Sequence, residues 1–87
     1  MFVNNDLGAS LFKTWNETQR RDEIAKLVDG YRSGLPIGIL CNMTETIAGS
    51  RKRARKLLQE MLTPDERQTA IEKETGGMLA LVKDFLQ

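Results

Sequence analysis

The sequence predicts an all-α fold, a compact bundle of four to five short helices. Three observations carry that prediction. Apolar residues recur at helical spacing along most of the chain, helix start and stop signals fall between those runs, and strand signals are nearly absent. Only Leu35-Pro36-Ile37-Gly38-Ile39-Leu40 has the apolar, β-branched character of a short buried strand, and it has no partner to pair with. The 87 residues suffice for a single helical domain spanning 1–87, with residues 1–5 expected to be flexible.

The first helical run opens after Asp6, a good N-cap, and carries Leu7, Leu11, Phe12 and Trp15. A second apolar set follows at Ile24, Leu27, Val28 and Tyr31. The two sets centre on opposite sides of one helical cylinder, so a single straight helix cannot bury both against the same neighbour. Either the chain breaks near Asn16-Glu17-Thr18-Gln19, or one long helix shows different faces to different partners. Asn16 and Gln19 have capping-box spacing, which favours the break.

Ser33-Gly34-Leu35-Pro36 ends the second run, and Pro36 suits the first turn of the next helix, where its missing N–H is no loss. That helix is expected to reach Ala48, to bury Ile37, Leu40, Met43 and Ile47, and to stop at Gly49. Ser50 then caps a helix over Arg51–Leu62, with Ala54, Leu57, Leu58, Met61 and Leu62 on its apolar face. Thr63-Pro64-Asp65-Glu66 is the clearest local signal: a capping threonine, proline at the first helical position and acids that complement the dipole. The phrase Leu62-Thr63-Pro64-Asp65-Glu66-Arg67 resembles a helix start found in Trp repressor-like proteins. The resemblance covers six residues, the reading helix expected downstream is missing, and no function is carried over from it.

The helix starting at Pro64 is expected to run through Gly76-Gly77 almost to Gln87. Carrying the helical phase through the glycines places Ile71, Met78, Val82 and Phe85 on one stripe. Because the preceding helix ends at about Leu62, the last two helices should form an antiparallel helical hairpin.

Chemistry-bearing residues are sparse. The chain has no histidine and one cysteine, Cys41, which excludes Ser-His and Cys-His nucleophilic arrangements and argues against a metal centre or an intramolecular disulfide. Cys41 sits among apolar neighbours and reads as a buried, inert thiol. The carboxylate pairs Asp22-Glu23, Asp65-Glu66 and Glu72/Glu74 diverge around a helix instead of converging on one point. No catalytic residue, metal or cofactor is assigned, and the chain reads as a non-enzyme. The N-terminus lacks the basic start and long apolar run of a signal peptide, and the apolar stretch Leu35–Cys41 is too short to span a membrane, so a cytoplasmic protein is expected.

The strongest functional candidate is the cluster Arg51, Lys52, Arg53, Arg55 and Lys56. Guanidinium groups match phosphate and carboxylate oxygens, yet positive charge at a helix N-terminus opposes the macrodipole, which hints at a use. With 13 basic against 12 acidic residues, and no aromatic within the cluster, the balance leans to a protein partner over nucleic acid. The expected function is a small regulatory or adaptor protein, in the manner of a bacterial or phage regulator or inhibitor, binding a larger and acidic protein partner. A helical DNA- or RNA-binding regulator using residues 51–56 is the alternative. Trp15, Ile71, Met78, Val82 and Phe85 are the candidate protein interface, and the breadth of the apolar stripe over residues 71–86 predicts a homodimer or a partner-binding face there.

Overall fold

A computed structural model describes residues 14–74 and 76–87. The helix expected after Asp6 and the flexibility expected of residues 1–5 lie outside the described residues. Among those described there are five helices and no strand: α1 (Glu17–Arg32), α2 (Ile37–Ala48), α3 (Arg51–Met61), α4 (Pro64–Lys73) and α5 (Leu79–Leu86).

Local chemistry sets most of these boundaries. Asn16 and Gln19 form a reciprocal capping box: the Asn16 side chain accepts from the Gln19 N–H, and the Gln19 side chain accepts from the Asn16 N–H, both at 2.8 Å. A helix therefore starts at Glu17, at the break that the Asn16 and Gln19 spacing favours. Pro36 stands one residue before α2, with its carbonyl accepting the first helical bonds from Ile39 and Leu40. Gly49 ends α2 with φ of 89°, a left-handed conformation that costs glycine nothing. The Ser50 hydroxyl accepts from the Arg53 N–H to open α3. Thr63 and Glu66 complete a second capping box at the head of α4, with Pro64 in its first turn.

The single last helix is not seen. α4 ends at Lys73, and the chain turns through Gly76 and Gly77 before α5 starts at Leu79. Each glycine inside a helix costs about 1 kcal/mol, so a straight continuation is locally weak. The turn redirects the chain so that α5 packs against α2, α3 and α4 together. Val82, Phe85 and Leu86 of α5 thereby enter the core. α3 packs against α5 more than against α4.

The core combines Ile24 and Val28 of α1, Leu40, Cys41 and Ile47 of α2, Ala54, Leu57 and Leu58 of α3, Leu62, and the three α5 residues. Met43, expected inside, is exposed; Cys41, Thr44 and Ala48 take the buried positions of α2 instead. Small side chains on that face bring α2 close to α1, α3 and α5, its three packing neighbours. Charged groups fasten the helix ends. Arg20 donates to the carbonyls of Trp15 and Ile47, tying the start of α1 to the end of α2. Arg67 donates to the carbonyls of Gln59 and Leu62, and Arg32 donates to that of Met61, so two cations meet the negative end of α3.

Candidate binding face on the third helix

The five basic residues of α3 have different fates. Arg51 is committed to the fold. Its guanidinium pairs with Glu45 of α2 at 3.1 Å and with Asp84 of α5 at 2.8 Å, and it lies over the Phe85 ring at 5.0 Å from the centroid. One side chain thus links three helices, and these partners raise its pKa further above the ordinary arginine value. Arg53 faces the other flank, 3.9 Å from Glu17 of α1. On the same seam Arg21 donates to Glu60 at 3.0 Å.

Lys52, Arg55 and Lys56 are different: all are exposed, and none forms an ion pair among the described residues. At about 100° per residue they fall within about 100° of arc, and they span roughly 6 Å along the axis. Their arc lies opposite the buried Ala54, Leu57 and Leu58. The predicted cluster of five therefore resolves into a structural arginine, a loosely paired one and a stripe of three unneutralised cations.

The apolar interface candidates do not form one surface. Val82 and Phe85 are completely buried within their own chain, and cannot serve as an exposed stripe. The stripe requires one continuous helix; because α4 ends at Lys73 and α5 starts at Leu79, Val82 and Phe85 lie in the core instead. Ile71 and Trp15 are partly buried against the core. Met78 is partly exposed and lies over Gly38, where an added Cβ would meet its methyl at 2.7 Å.

The remaining reactive side chains are held in the fold. Burial pushes the Cys41 thiol up to about 11. Glu66 accepts from Nε and Nη2 of Arg32 at 2.8 Å and from the Thr63 N–H at 2.9 Å, which brings its carboxyl down to about 2. Glu72 accepts from Gln68, and Glu74 accepts from the Gly76 N–H. Among the described residues no group of three or more His, Cys, Asp or Glu side chains is placed to hold a metal ion. No helix among them is long and apolar enough to cross a membrane.

Arg20, Arg32 and Arg67 escaped sequence reading as structural residues. The cross-chain partners of Arg20 and Arg32 lie 27 to 34 residues away, where no local pattern announces them. Comparison with protein-family models, curated proteins and solved structures finds no match for this chain.

Proposed function

We propose that this chain is a small non-enzymatic binding protein, a regulator or adaptor, that docks on an acidic surface of a larger protein through Lys52, Arg55 and Lys56. The observation that carries the reading is the separation within one helix of cations that hold the fold from cations that hold nothing. Arg51 is neutralised by two carboxylates, whereas Lys52, Arg55 and Lys56 of the same helix are left in solvent on a single stripe. Positive charge there opposes the α3 dipole, and an acidic partner would relieve that penalty. The modest size of the stripe and the net charge of +1 favour a local protein contact over the broad basic footprint of a nucleic-acid binder.

The test is capture from nuclease-treated extract of the native cell, using the full chain and a variant carrying Lys52→Glu, Arg55→Glu and Lys56→Glu. A partner retained by the native chain and lost with the variant is the expected result. Retention that disappears on nuclease treatment would assign the stripe to nucleic acid instead. Equal capture by both chains would remove the stripe from function altogether.

A further inference from the structure

Three methionines lie among the described residues, in three different settings. Met61 is partly buried against the core, and Met43 of α2 is 44% exposed. Met78 is 36% exposed, yet its side chain crosses the first turn of α2. A Cβ at Gly38 would stand 2.7 Å from the Met78 methyl, 3.8 Å from its Cγ and 4.0 Å from its Sδ, so the thioether lies along the bare backbone of that glycine. The absent side chain is what makes room for this approach. Met78 therefore combines a side open to solvent with a side packed on another helix.

The position matters because α5 is fastened unevenly. Its C-terminal half has polar ties: Asp84 pairs with Arg51 at 2.8 Å, the Phe85 ring lies under the same guanidinium, and the Phe85 carbonyl accepts from Gln59. No side chain caps its start, and the chain arrives there through the exposed Gly76 and Gly77. The start of α5 is thus held by apolar packing, to which Met78 adds the contact with the head of α2. We propose that Met78 is an oxidation-sensitive latch, whose conversion to the sulfoxide by a peroxide frees the start of α5 from α2. The sulfur lone pair attacks one peroxide oxygen, so that an S–O bond forms as the O–O bond breaks. Hydroxide leaves, and the proton lost from the transferred hydroxyl turns it into water. The thioether is oxidised by two electrons and the peroxide is reduced by two. The product carries a strong acceptor oxygen on the sulfur, which favours water over apolar contact with Gly38. Cys41, the one thiol, is completely buried and does not compete for the oxidant.

The experiment uses the full chain before and after treatment with hydrogen peroxide. Peptide mass mapping follows oxidation at each methionine, and amide hydrogen exchange follows local opening. Met78 should oxidise at a rate within about tenfold of that of the exposed Met43. Exchange over residues 82–86 should then rise by about tenfold or more, and well beyond any rise over α1. In Met78→Leu, which keeps an apolar side chain and cannot take up oxygen, the same treatment should leave exchange over residues 82–86 within about twofold of the untreated variant. Oxidation of Met43 without oxidation of Met78 overturns the proposal. So does unchanged or slower exchange in the oxidised native chain, an equal rise in every helix, or the same rise in Met78→Leu. Repair with methionine sulfoxide reductase tests the latch without any substitution: reduction at Met78 should restore the original exchange, and exchange that stays fast after that reduction also overturns it.

Discussion

At the scale of single residues, the fold depends on a few polar groups whose roles are set by burial. The Thr63 hydroxyl caps α4 in a reciprocal box, and Thr63→Ala is expected to cost about 0.5–2 kcal/mol, read as a lower urea midpoint with an unchanged slope. Thr44 behaves in the opposite sense. Its hydroxyl is fully buried on α2 and finds no hydrogen-bond partner among the described residues. An unmet buried hydroxyl costs about 1–3 kcal/mol, so Thr44→Val, which keeps the shape and removes the polar atom, should raise stability by about 1 kcal/mol. A loss on the same measurement would show that the hydroxyl is satisfied. Cys41 is buried with its thiol pushed up to about 11, so in native protein at neutral pH a thiol reagent should react only as fast as the chain opens. The caps at Asn16, Ser50 and Thr63 were legible in the sequence because donor and acceptor are three residues apart. The triple role of Arg51 was not, since Asp84 lies 33 residues downstream and only the tertiary fold brings it near.

At the scale of helices, continuity of apolar phase misled where the backbone itself decided. Ile71, Met78, Val82 and Phe85 share a phase, yet Gly76 and Gly77 fall in a turn, and α5 gains burial on three neighbours by leaving the axis of α4. Burial against several partners outweighs the few bonds that a glycine-weakened helix would keep. Met43 continues the spacing of Leu40 and Ile47, yet it is exposed, and the close side of α2 is lined by Cys41, Thr44 and Ala48. The junction of α1, α3 and α4 gives a pH prediction. Arg32 and the Thr63 backbone hold the Glu66 carboxyl at about 2, below its usual value near 4.5. A lowered carboxyl pKa contributes stability that is complete above the ordinary value and lost as pH falls through the native one. The stability difference between the native chain and Glu66→Gln should therefore be constant above about pH 5 and shrink steadily between about pH 4.5 and 2, followed by denaturant titration at each pH. A difference that does not vary with pH would mean that the ion pair and box are not formed in solution.

For the whole molecule, charge is distributed by task. Arginines at helix ends and seams donate to carbonyls of other helices or pair with their carboxylates, and these contacts lock α1 to α2 and α4 and tie α3 to α2 and α5. Three cations of α3 stay outside that network, and their position was legible in the sequence as a basic run, though which of the five were spent was not. On the function proposed above, this stripe steers an acidic protein partner. The most direct measurement is the association rate of the captured partner with the full chain across a salt series, by surface-based or stopped-flow kinetics. The expected result is an association rate that falls as salt rises and drops in the variant with Lys52→Glu, Arg55→Glu and Lys56→Glu, with a much smaller change in dissociation. An association rate indifferent both to salt and to these three substitutions would contradict it.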